Sequence, residues 1–539
     1  MTMKTETISL NFFSNADALC SLRKAAEYLR NHPGTTLVIP AGRYLLHDEK
    51  AAALQKAVMT GEYGRAPQKR MFSPEMSYQV GVDLTGCSDV TISGYGAQFV
   101  FDGYLEPFCL SGCRNVTLKG FSIDYLRKPW SKGVVVGSGD QILDVAFPGL
   151  SMISVKMPAL RAILRRNEEI SRIWMCMSEE VVLEKIDAET IRFHGISGGT
   201  KGDEFYLWHT FHFRPGILIY ESATTLLEDI TIFSQPGMGI VGHRSQDIVI
   251  RNLSVVPGAE DGVSTNTDAT HFASCKGLLR VENSTFRGQG DDALNVHTYY
   301  HTIQKAEGVT CQTKNRVHSG THSQKPDHPD AGDVLELTDP ETLASIDHFV
   351  VHRSTMLDGR TCSLLLDHEL PEASVGMLFA DITQLPRLEF MNCHAADHIA
   401  RSLLIRTRNV RIEGCTFERC SGTAVHIAAE SGWFEGAGTE NVLIRGNKIL
   451  GAGKNRIGLY GEAGGIAITT DAIRHDAIVH RNIVIEENVI DCPETLHAIY
   501  ADSTEHLVIR NNSLSCSAEP LQIGFCRGTE ITKNRHLHH

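Results

Sequence analysis

The chain has 539 residues, 42% hydrophobic and 21% charged, with a formal net charge of −13. That balance suits a large soluble core. The diffuse negative charge argues against a nucleic-acid partner, which needs a concentrated basic surface, and no apolar run nears the roughly 20 residues of a membrane span. The first residues lead into no apolar signal segment, so the sequence as given reads as cytoplasmic, or as periplasmic or secreted if a signal has been removed. Fourteen cysteines without such a signal read as free core thiols, and no Cys-x-x-Cys pair marks a zinc site.

In chain order, residues 15–31 read as an amphipathic helix. Leu19, Leu22, Ala26 and Leu29 recur at helical spacing, Asn15 or Asp17 caps the start, and His32-Pro33-Gly34 ends it. Thr36 to Tyr44 reads as strand, Pro-Gly turn, strand. A helix before such strands suits the covered end of a large β-structure. A repeated phrase then appears: Asp89-Val-Thr-Ile, Asn115-Val-Thr-Leu, Asp229-Ile-Thr-Ile, Asp247-Ile-Val-Ile, Asn409-Val-Arg-Ile, Asn441-Val-Leu-Ile, Asn482-Ile-Val-Ile and His506-Leu-Val-Ile. Recurrence at about 20–30 residues, with β-branched strands and Asn or Gly turns, predicts a right-handed parallel β-helix behind an N-terminal capping helix. A large sandwich or a propeller is the alternative, but propellers repeat at about 40–45 residues.

Two stretches lack the phrase and are expected to be small strand-rich, barrel-like insertions. The resulting organisation is 1–130 (cap and first coils), 131–210 (first insertion), 211–299 (central coils), 300–386 (second insertion) and 387–539 (last coils). The polar piece Lys314 to Ala331 reads as an exposed loop.

The chemistry concentrates in Ser264-Thr-Asn-Thr-Asp268-Ala-Thr-His271 and Gly288-Gln-Gly-Asp291-Asp292-Ala-Leu-Asn295-Val-His297. One coil separates the two clusters, so Asp268 should lie over Asp291 and Asp292, rungs about 4.8 Å apart. Three carboxylates so close cannot all ionise cheaply, which leaves an acid beside bases, the division that glycoside hydrolysis uses. Asp-rich turns also serve as plain turn caps or calcium ligands. Calcium, however, wants six or more oxygens, and histidines interleave here. No metal and no cofactor are expected.

These phrases resemble glycoside hydrolase family 110, as do Phe213-Arg-Pro-Gly-Ile-Leu-Ile-Tyr-Glu221, Pro236-Gly-Met-Gly239 and Gly432-Trp-Phe-Glu435. More distantly, the chain is similar to polygalacturonase-type β-helix glycosidases. The resemblance implies an inverting exo-α-1,3-galactosidase acting on a galactose-terminated glycan, blood-group-B-type or linear. Asp291 would match the general acid, and Asp268 and Asp292 the pair that activates water. A β-helix lyase or polygalacturonase, or a non-catalytic glycan binder, is the competing reading.

His271, Asn295, His297, Arg244, Arg401, Trp433 and Glu435 are the expected sugar-binding residues. Trp433 would stack on a sugar face with Glu435 beside it. His209 and His212, alternating with aromatics, read as packing. Uncovered coil ends and barrel faces allow a homodimer.

Overall fold

A computed structural model describes residues 6–13, 17–64, 67, 76–149, 155–159, 161–167, 169–174, 181–315, 321–454 and 463–537. Seven of the eight repeated phrases stack as parallel, in-register strands, and the Asp229 phrase falls on a second face, beside Ser254–Val255, so the fold is a parallel β-helix and not a sandwich or propeller. Each phrase opens on a residue with positive φ, between +52° and +60°, from Asp89 and Asn115 through Asn482 and His506. Asp, Asn and His tolerate that left-handed turn better than branched residues do. The turn points the following apolar residues inward. Val116, Thr225, Ile248, Leu279, Leu388, Val410, Val442, Ile483 and Leu507 therefore form one column, each the direct neighbour of the next. All are buried, and a fully buried aliphatic side chain contributes about 1.5–3 kcal/mol.

A second face runs through Thr231–Ile232, Ser254–Val255, Thr285–Arg287, His394–Ala396 and onward, with Ile232, Val255, Phe286 and Ala395 stacked inward. Between these two faces, Asn447, Asn488, Asn512 and Asn534 form a ladder. Each side-chain oxygen accepts from the backbone N–H one rung back, and each amide donates to a backbone carbonyl. The third face carries the functional residues. It runs through Ile217–Tyr220, Ile240–His243, Thr270–Ala273, Leu294–Val296, Leu403–Ile405 and Val425–Ile427.

The capping helix spans Ala18–Asn31, with Asp17 accepting from Leu19 N–H. Its apolar face, including Leu19, Leu22, Ala26 and Leu29, closes the core. Asn15 lies outside the described residues. A second helix, Glu49–Met59, capped by Asp48, was not expected from sequence.

The region 130–208 forms an antiparallel seven-stranded sheet, running Glu169–Trp174, Arg161–Arg166, Glu204–Trp208, Trp130–Gly139, Ile142–Ala146, Thr190–His194, Val182–Lys185. Among the described residues the two outer strands, Glu169–Trp174 and Val182–Lys185, do not pair. One side of the sheet holds its own core around Leu143, Phe193 and Phe205, and Trp130, Tyr206 and Trp208 dock against Val263 and Ile399 of the coil. The region 300–381 does close into a ring: Leu294–Glu307, Thr310–Asn315, Thr361–Leu366, Ser345–Met356, Val334–Thr338 and Leu378–Asp381 pair in turn, and the last pairs back to the first.

The thirteen described cysteines are free, as expected. No described helix is long and apolar enough to cross a membrane.

Candidate active site

On the third face Thr270 pairs with Leu294 and Leu294 with Leu403. Two residues earlier, the same register stacks Asp268, Asp292 and Arg401 on three successive rungs. Ala269 N–H bonds to Asp292 O, and Ala293 N–H to Arg401 O. It is thus Asp292, rather than the Asp291–Asp292 pair, that lies over Asp268. Asp291 precedes it and turns outward. The turn depends on Gly290, where a Cβ would stand 2.2 Å from Asn266 O and 2.4 Å from Arg161 Nη2. The three carboxylates meet as expected: one oxygen from each lies within 4.8 Å of the others.

Their surroundings differ. Asp292 is buried and accepts from Arg401 three times, from its backbone N–H at 2.9 Å and from Nε and Nη2 at 3.0 Å. Burial pushes its carboxyl up, and Arg401 opposes that. Asp268 is buried with no cation bonded to it. Burial and the charges of Asp291 and Asp292 hold it well above the usual carboxylate range. Asp291 keeps 18% of its side chain exposed, the most open of the three. Arg172 donates to it at 3.3 Å, and Arg161 lies 3.9 Å away. Both arginines come from the first insertion, on two adjacent antiparallel strands, and the sequence reading missed them. Only the fold links position 161 or 172 to 291.

Beside the acids is a histidine cluster. His271 and Asn295 share one register position on consecutive rungs, and His297 sits two residues on. His271 Nδ1 lies 2.7 Å from Asp268 Oδ2, and its Nε2 lies 2.9 Å from His297 Nε2. His297 Nδ1 lies 3.1 Å from Thr298 O, which can only accept, so Nδ1 carries the hydrogen. His297 Nε2 then accepts, His271 Nε2 donates, and the bare His271 Nδ1 faces an Asp268 that must carry a proton. This chain of tautomers agrees with the raised carboxyl. Burial depresses all three histidines of the cluster: His271 well below its usual range, His297 to about 4, and His322 less far.

Glu435 is buried and accepts from Arg406 at 2.5 Å, and Asn295 Oδ1 accepts from the same guanidinium at 3.0 Å. Burial would raise Glu435, but His297 and Arg406 outweigh it and hold the carboxyl near 2. Glu430, also missed in the sequence, pairs with Arg406 and Arg401.

Trp433 lies in the one-turn helix Ser431–Trp433 with half its surface exposed, two residues from Glu435. Arg244 is not brought to the acids. It bonds to Asp330 at 2.6 Å and to the His328 carbonyl, and lies 3.5 Å from Glu221. Its charge is spent holding down the segment after residue 320. That segment, expected to be an exposed loop, is largely packed where it is described. His243 reaches Ser323 Oγ at 2.5 Å and Asp327 at 2.9 Å, His301 reaches Asp327 at 2.8 Å, and Arg214 donates to Ser323 O. Pinned in this way, the segment places His322 against His271, ring centroids 4.1 Å apart. His209 is packed, bonded to Ser131 and Pro158.

No protein-family model matches the chain. Curated proteins do. It is 27% identical to α-1,3-galactosidase B of Bacteroides thetaiotaomicron, over 93% of this chain and 84% of that protein. The chain is thus similar to curated proteins named α-1,3-galactosidase. It is 24% identical to α-1,3-galactosidase B of Akkermansia muciniphila (96% and 67% covered) and 24% to α-1,3-galactosidase A of Bacteroides fragilis (93% and 85%). That shared name supports a glycosidase. Among solved structures, a hyperthermoactive exopolygalacturonase from Thermotoga maritima aligns with a TM-score of 0.43 at 12% identity, over 99% of this chain and 93% of that one.

Proposed function

We propose that this protein releases terminal α-1,3-linked galactose from glycans, of blood-group-B or linear type. The observation that carries the reading is the convergence of Asp268, Asp291 and Asp292 within 4.8 Å in a chain whose relatives bear that name. Asp291, the most open of the three, stands where a leaving oxygen can reach it and serves as general acid. Asp292, held by Arg401, takes the proton of a water on the inner side, and Asp268 beside it shares that role in its carboxylate form. Trp433 and Asn295 bind the sugar. Attack by that water inverts the anomeric centre in one displacement. A gap under 5 Å is shorter than the roughly 6.5–9.5 Å of most inverting pairs and otherwise suits a double displacement, so the stereochemistry is itself a test.

Incubation with an α-1,3-galactobioside should yield β-galactose first by NMR. If α-galactose comes first, inversion is wrong. Asp291→Asn should lose about 10²–10⁴-fold on natural linkages but far less on an aryl galactoside whose leaving group needs no proton. Equal losses on both substrates would move the acid role to another residue.

A further inference from the structure

We propose that His271, His297, His322 and Glu435 form a binding site for one divalent transition-metal ion, zinc by the chemistry of its donors. The sequence reading expected no metal, because His322 is brought in only by the folded insertion. One donor atom from each of the four residues lies within 4.8 Å of the others. Any four such atoms fit on a sphere of radius about 2.9 Å or less, room for an ion or a single water and too little for a sugar ring. His271 Nε2 to His297 Nε2 is 2.9 Å, and His297 Nε2 to Glu435 Oε1 is 3.8 Å. These bracket the roughly 3.3 Å between donors of a tetrahedral zinc with bonds of about 2.0–2.1 Å.

The opposite side of each ring supports the assignment. A metal-bound imidazole turns its other nitrogen to a carboxylate, a backbone carbonyl or another acceptor, which fixes the tautomer. His271 Nδ1 faces Asp268 Oδ2 at 2.7 Å, and His297 Nδ1 faces Thr298 O at 3.1 Å. His322 Nδ1 faces the Tyr299 hydroxyl at 3.0 Å. That oxygen also accepts from His322 N–H, so it has lone pairs for both. The other nitrogen of each ring, Nε2, is thereby left as the candidate donor. Glu435 gives Oε2 to Arg406 and keeps Oε1 as the fourth candidate donor. The donor set is three nitrogens and one oxygen, which excludes calcium and magnesium.

With Nε2 on the ion, His271 Nδ1 would be the nitrogen that donates to Asp268 Oδ2. The metal site does not rest on the galactosidase reading.

The test uses the full chain, stripped with a chelator and dialysed. Zinc titration by calorimetry should show one equivalent, and cobalt should produce the visible absorption of a four-coordinate nitrogen-rich site. His322→Ala and Glu435→Gln should each weaken zinc at least 10- to 100-fold, and Tyr299→Phe by about 10-fold. Zinc-free melting temperatures should show His322→Ala folded; if that variant does not fold, Glu435→Gln decides. No zinc uptake, or uptake unchanged in the variant that decides, overturns the site. Zinc uptake without galactose release leaves the site standing and removes the proposed activity; the reverse result removes only the site.

Discussion

Replacing Arg401 with Met separates what holds the site together from what makes it work. Arg401 and Asp292 are almost wholly buried, and the side chain donates two hydrogen bonds at 3.0 Å. Charge-assisted bonds contribute about 1.5–3 kcal/mol each, and removing one member of a buried pair costs about 3–5 kcal/mol because the other charge is stranded. Met keeps the stem, so the loss falls on the charge. Urea unfolding of Arg401→Met should therefore show a loss of about 3–5 kcal/mol. Adding Asp292→Asn removes the stranded charge while the Arg401 backbone N–H keeps its acceptor. The double variant should recover more than half of that loss and stay inactive. Wild-type stability in Arg401→Met, or a double variant as unstable as the sum of its singles, would refute the pairing as the source of the effect.

Arg172→Met should lower galactose release about 10- to 100-fold in assays kept below its melting temperature, through loss of the group that positions Asp291. Asn488→Ala should cost about 2–5 kcal/mol in urea unfolding, since it strands the Asn447 N–H and the Ile444 carbonyl inside the ladder. A third test concerns the Glu336–His348 pair, with His348 half exposed. His348 is raised above 6.5 by its bond to Glu336, so its stabilisation is full below pH 6.5 and fades as pH rises through the folded value. Glu336, buried but held below 4.5 by His348 and Arg408, contributes above that pH and loses its contribution as pH falls through its folded value. The melting-temperature deficit of His348→Ala should thus be largest between about pH 5 and 6.5 and smaller at pH 9; a deficit that grows with pH would contradict the pairing.

The coil was legible because it is periodic. A positive-φ residue at Asp89 or Asn441 followed by alternating apolar residues is a local pattern, and stacking only repeats it. Asp268 and Asp292 were legible for the same reason, one rung apart. Apart from Glu430, the residues that were missed come from outside that periodicity. Arg161, Arg172 and His322 belong to insertions whose approach to the coil is fixed by tertiary packing, of Trp208 on Val263 and of Ser323 on His243. Arg244 was misplaced because its spacing put it near the right face, while its partner, Asp330, sits 86 residues away.

The strand Leu294–Glu307 begins as a rung of the third face and ends as a stave of the barrel, without a break. His297 lies within it, between Val296, which pairs with the coil, and His301, which pairs within the barrel. The barrel is therefore rigidly geared to the acid cluster rather than hung beside it on a flexible tether. Insertion or deletion at its distal turns is free to vary without penalty to the site. A single residue added between 296 and 301 would rotate every later side chain to the opposite face and uncouple the two parts.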